Sequence, residues 1–195
     1  MSSLDWIILK NRQKSDLKGE KMGGKLRKKI VPFTTVGTLR APLGTVDIIR
    51  NAEVIATSES ENFPLDNIVD GSIGPGSSQW VAGTIGLQTL TFKFDTAQNI
   101  TRVIYEIEEQ EVARTQEICF EVSRDSGAHF REILRHEYNF SPEGSTFQRE
   151  ELKLDLDQIT ELKMIIKPDK GNINCRAKLN HIEFQVLGQH IHMGN

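Results

Sequence analysis

The densest group of side chains able to do chemistry is the acidic run Glu106, Glu108, Glu109 and Glu111. Paired carboxylates can hydrolyse a glycosidic bond, one as acid and the other as base or nucleophile. Acids alternating at a strand end also keep a sheet edge solvated and unpaired, and the spacing favours that reading. The chain has no Gly-x-Ser-x-Gly elbow, phosphate loop, His-Glu-x-x-His or Cys-x-x-Cys, the arrangements that activate a nucleophile, cradle a phosphate or hold a catalytic or redox centre. We therefore expect a non-catalytic protein. His129, His136 and His181 are scattered, and His190-x-His192 lies in a tail without the further ligands that a stable metal site needs. Cys119 and Cys175 are expected to be reduced thiols, and Cys119 lacks a neighbouring His and Asp to activate it.

The net charge of -3 is not that of a nucleic-acid binder. Positive charge is concentrated at the start, where Lys10, Arg12, Lys14, Lys18, Lys21, Lys25, Arg27, Lys28 and Lys29 face only Asp16 and Glu20. Glycines and prolines interrupt this stretch, so residues 1–43 read as a basic, flexible arm. Lys25 to Lys29 is a candidate contact for nucleic-acid phosphates or an acidic protein, although no aromatic residue interleaves it for base stacking, which favours a solvated tail. No apolar run approaches the roughly 20 residues of a membrane span. Trp6 to Leu9 is too short for a signal-peptide core, and the protein is expected in the cytoplasm.

The elements that must position any site are short strands. Val46 to Ile49 and Glu53 to Thr57 read as strands, as do Leu90 to Phe94 and Val103 to Ile107, where apolar and polar residues alternate. Arg114 to Phe130 reads as a strand, a tight Ser-Arg-Asp-Ser-Gly turn and the start of a second strand. Phe130 to Leu134 continues as strand, and His136 to Gly144 reads as a loop because of Asn139, Ser141, Pro142 and Gly144. Leu152 to Leu156, Leu162 to Ile166 and Lys178 to Leu187 complete the set. Regularly spaced short strands with no long amphipathic helix predict an all-β, antiparallel two-sheet β-sandwich, a jelly roll, over residues 44–188, followed by a tail at 189–195.

Three patches in order carry a family resemblance. Asn67, Asp70 and Gly71 precede Trp80; Arg114 precedes Phe120-Glu-Val122, Ser123-Arg-Asp125, Gly127 and Phe130; Ile182-Glu-Phe184-Gln-Val186-Leu-Gly188 closes the chain. This resembles the discoidin-like, or coagulation-factor type C, domains of the galactose-binding-like superfamily. The resemblance implies a binding module whose loops, gathered at one end of the sandwich, most often take carbohydrate. It covers about Val54 to Gly188.

A sugar needs an aromatic face and Arg, Asn or His groups for its hydroxyls. The candidates are Arg114; Tyr138, Asn139 and Phe140; and Asn172, Asn174 and Arg176, with Phe63 as a possible wall. The alternatives are packing beneath the loops for the aromatics and an ion pair with Glu108, Glu109 or Glu111 for Arg114. Many relatives carry a structural calcium, and Asp70 and Glu183 match its carboxylates, with Ser72, Ser77 or Ser78 beside them; the competing role for Asp70 is closing its own turn. Trp80 matches the family's packing tryptophan. The second functional reading is an intracellular module that binds a protein or nucleic-acid complex through the same loops and the basic arm.

Overall fold

The computed structural model describes residues 28–30, 48–171 and 174–186. Nine strands are present among them: β1 Lys28–Ile30, β2 Ala52–Ala56, β3 Trp80–Ile85, β4 Gln88–Glu108, β5 Arg114–Ser123, β6 Arg131–Phe140, β7 Phe147–Lys167, β8 Arg176–Leu179 and β9 His181–Val186. Short 3-10 helices occupy Ile48–Asn51 and Leu65–Val69. No helix among the described residues is long and apolar enough to cross a membrane.

β4 and β7 organise the molecule. Each is 21 residues long, and their antiparallel ladder shifts register between Lys93 and Arg102. Before the shift β4 pairs with β2, and after it with β9. β5 pairs with the second half of β7, and β6 joins β5. β4 and β7 thus turn a shared corner and pass from one layer to the other. At that corner Gln158 adopts φ 54, and its N–H donates to Asn99 Oδ1 at 2.9 Å.

The two layers face each other as a β-sandwich. Phe184 of β9 lies 4.9 Å from Phe92 and 6.0 Å from Phe94, ring centre to ring centre, while Tyr105 lies 5.4 Å from Phe120. Each layer offers one apolar face, and the contact removes both from water. Trp80, at the start of the separate β3-β8 ribbon, is fully buried as expected.

The pairing register defines two ends. Ala52 pairs with Phe94, Val186 with Ile100 and Ser123 with Glu161, so the start of β2, the end of β9 and the β5–β6 turn adjoin the corner. Glu108 pairs with Phe147, Arg114 with Phe140 and Glu117 with Lys167, which places the segments 109–113, 141–146 and 168–171 together at the opposite, loop end.

Several local expectations are corrected. Ile48 and Ile49 lie in a 3-10 helix rather than a strand, with both side chains buried. His136 to Phe140 is not loop but the second half of β6: residues 134, 136, 138 and 140 keep the inward face, and this period outweighs the turn-forming residues that follow. Lys28–Ile30, inside the arm expected to be flexible, pairs in parallel with β2, and Lys28 Nζ lies 3.0 Å from Glu59 and 2.7 Å from Asp66. Glu106, Glu108 and Glu109 do not form a solvated edge, since all three are buried.

Candidate ligand-binding loops

Arg114 opens β5 on the inward face shared by Gln116, Ile118, Phe120 and Val122. Its guanidinium lies 2.8 Å from the Glu109 carboxylate, with both side chains 1% exposed, and donates to the Arg176 carbonyl at 2.8 Å. Glu109 also meets Lys178 at 3.2 Å and accepts the N–H groups of Glu111 and Val112 at 2.9 and 3.2 Å. Burial by itself would raise the Glu109 pKa, but the Glu111 amide, Arg114 and Lys178 outweigh it and hold the carboxyl below its ordinary value. Arg114 therefore fastens β5, the 109–113 segment and the start of β8 to one another. The ion pair weighed as the alternative to ligand contact is present.

The remaining sequence-derived candidates divide by burial. Tyr138 and Phe140 face the core. The Tyr138 hydroxyl shares a hydrogen bond with that of Tyr105 and a second, at 2.9 Å, with His136 Nδ1. Burial pushes the Tyr138 phenol up to about 12, and that of Tyr105 further. Asn139, between them, is exposed, and its Oδ1 accepts from the Thr115 hydroxyl at 2.7 Å. Asn174 and Arg176 are exposed, and Asn172 lies outside the described residues. Asn139 and the Arg176 backbone each adjoin the start of β5, through Thr115 and Arg114, whereas Phe63, at 42% exposure, hydrogen-bonds through its backbone to Ser60 and Val81 instead.

Sequence reasoning missed Lys170 and Val112 at this end. The Lys170 N–H donates to the Thr115 carbonyl at 2.8 Å, leaving a 40% exposed ammonium beside Glu137, and Val112 is 44% exposed. Neither has a motif; only their place after a strand end could have marked them.

The two carboxylates expected to hold calcium each have protein partners. Asp70 accepts the Ser72 N–H at 2.8 Å and the Ser78 hydroxyl at 2.7 Å, closing its own turn, while Glu183 on β9 accepts from Gln185 at 2.8 Å. Among the described residues no group of three or more His, Cys, Asp and Glu is placed to hold a metal ion. A calcium ion needs several oxygens converging at once, and both carboxylates are already taken by protein donors. The loop after Asp70 is held instead by protein groups: the Gly74 and Gly76 N–H groups donate to Glu106 and Glu108 at 2.7 and 2.8 Å.

Two facing β-layers with loops fastened together at one end define a class of rigid scaffold that presents loops. Within that class, the chain belongs to the F5/8 type C domain family, whose model matches residues 53–173. No match was found among curated proteins. Among solved structures, the fold is similar to the lectin-binding domain of lectinolysin complexed with Lewis b, with 14% identity, TM-score 0.52, and coverage of 75% of this chain and 100% of that one. It is likewise similar to the CpGH89CBM32-5 module from Clostridium perfringens in complex with GalNAc-β-1,3-galactose, with 19% identity, TM-score 0.51, and coverage of 73% and 100%. A third is CBM32-3 from a family 31 glycoside hydrolase of Clostridium perfringens, with 17% identity, TM-score 0.50, and coverage of 68% and 88%. At these identities the likeness is one of fold.

Proposed function

We propose that the protein is a non-catalytic carbohydrate-binding module and that saccharide is bound at the loop end. The observation that carries the reading is that the exposed Asn139 and the Arg176 backbone both adjoin the start of β5, where the buried Arg114–Glu109 pair fastens the loop end. An amide held in place, as Asn139 is by Thr115, suits sugar hydroxyls, because ordering it before the ligand arrives removes an entropic cost of binding. Membership of the F5/8 type C family, and fold neighbours described in complex with Lewis b and with GalNAc-β-1,3-galactose, agree with it. In this reading Arg114, Tyr138 and Phe140 act as supports beneath the surface, and Asn139, Asn174 and Arg176 make the contacts.

A glycan array followed by calorimetry tests the assignment. Arg176→Ala and Asn139→Ala should each weaken binding of the retained glycan about tenfold, the size of one good polar contact of roughly 1.4 kcal/mol. Unchanged affinity in both variants would remove the loop end as the site. Retention of no glycan, with salt-sensitive retention of nucleic acid, would replace the reading with a phosphate-binding one.

A further inference from the structure

The β5–β6 turn, at the corner end, carries a groove lined by Val122, Arg124, Asp125, His129, Phe130 and Arg131. The turn is held open by its own chemistry. Ser126 and Gly127 take φ 55 and φ 85, and Asp125 accepts the Ser123 hydroxyl at 2.7 Å, the His129 N–H at 3.0 Å and His129 Nδ1 at 2.6 Å. Ser123 and His129 hold the Asp125 carboxyl well below its ordinary value, so it remains charged and fixes the imidazole through one nitrogen. The ring is 89% exposed, which leaves Nε2 to solvent. Arg124 is paired with Asp157 across the rim, whereas the exposed Arg131 guanidinium makes no hydrogen bond or ion pair with another described residue. Phe130 supplies an aromatic floor, with the Lys163 ammonium 3.4 Å from its ring centre.

The groove therefore holds two guanidinium groups, an imidazole and an aromatic ring, with the Asp125 carboxylate taken by Ser123 and His129 and that of Asp157 by Arg124. Its unspent donors are the Arg131 guanidinium and, in the imidazolium form, His129 Nε2–H. A guanidinium binds a planar carboxylate through two parallel N–H groups, and an aromatic ring beside it suits the C–H face of a pyranose.

We propose that this groove is a second ligand site, separate from the loop end, that takes the carboxylate of an acidic saccharide, with Arg131 as its anion contact and His129 joining it as the imidazolium. The saccharide half of the assignment rests on the function proposed above; the carboxylate half rests on the groove alone.

The test is titration of the full chain, followed by calorimetry and amide NMR, with an oligogalacturonate, a neutral oligogalactoside, acetate and sulfate. The oligogalacturonate is expected to bind and to shift the amides of residues 122–131. At about pH 5, where an imidazole is protonated, Arg131→Ala and His129→Ala should each weaken it at least tenfold with unchanged thermal midpoints, while Arg176→Ala leaves it unaltered. Both side chains are exposed, so loss of fold does not confuse the result. Unchanged affinity in both groove variants, or no binding of the oligogalacturonate, would overturn the site even where the neutral glycan binds at Arg176. Acetate or sulfate binding as tightly as the oligogalacturonate, and displacing it, would overturn the saccharide assignment.

Discussion

Arg114 shows how a residue type suited to ligand binding can be spent inside the protein. Its partner Glu109 is 1% exposed, so removing the guanidinium strands a carboxylate. Breaking such a pair costs on the order of 3–5 kcal/mol, and the surviving Lys178 contact puts Arg114→Met at the lower end by urea unfolding. Glu109 also sets an acid limit. Its folded pKa is depressed, so its contribution is complete above the unfolded value of about 4.3 and is lost as pH falls through the folded one. The stability difference between the parent and Glu109→Gln should therefore shrink from pH 7 to pH 3. Gln116 is the converse case: it is fully buried, and neither its amide nitrogen nor its amide oxygen is hydrogen-bonded among the described residues. Because an unpartnered buried polar group is costly, Gln116→Met is expected to raise stability by about 1 kcal/mol. At Asp70, where serines occupy the carboxylate, neither chelator nor added calcium should move the thermal midpoint, since only a ligand that binds the native state stabilises it.

Strands were legible in the sequence wherever one face meets the core. Leu90, Phe92 and Phe94 in β4, and Ile118, Phe120 and Val122 in β5, follow period two and are all buried. The continuity of β4 and β7 was not legible, because residues 95–99 and 157–158 interrupt the alternation and read as breaks between separate strands, whereas the hydrogen bonding continues there through a register shift that changes partners. Nor was the burial of the acidic run. Glu106 and Glu108 receive amides from Gly74 and Gly76, 32 residues earlier, and Glu106 takes Arg149, 43 residues later, none of which is visible from local spacing. The β5–β6 turn was legible from Ser-Arg-Asp-Ser-Gly, and it carries its own test. At Gly127, φ is +85, and an added Cβ would stand 2.9 Å from a Glu161 carboxylate oxygen. Gly127→Ala should cost about 1–3 kcal/mol in thermal or urea unfolding through backbone strain.

At the scale of the whole molecule, sequence reasoning found the sandwich and the end at which candidate loops gather, but not which of their side chains face outward. Asn139 and the Arg176 backbone both adjoin the start of β5, yet the Arg114 guanidinium there is buried. The entry of β2 and the exit of β9 both adjoin the corner. The start of β2 and the end of β9 therefore lie at one pole of the sandwich, and the segments 109–113 and 141–146 at the other. A ligand held at those loops would leave the two strand ends unobstructed, a full sandwich length away.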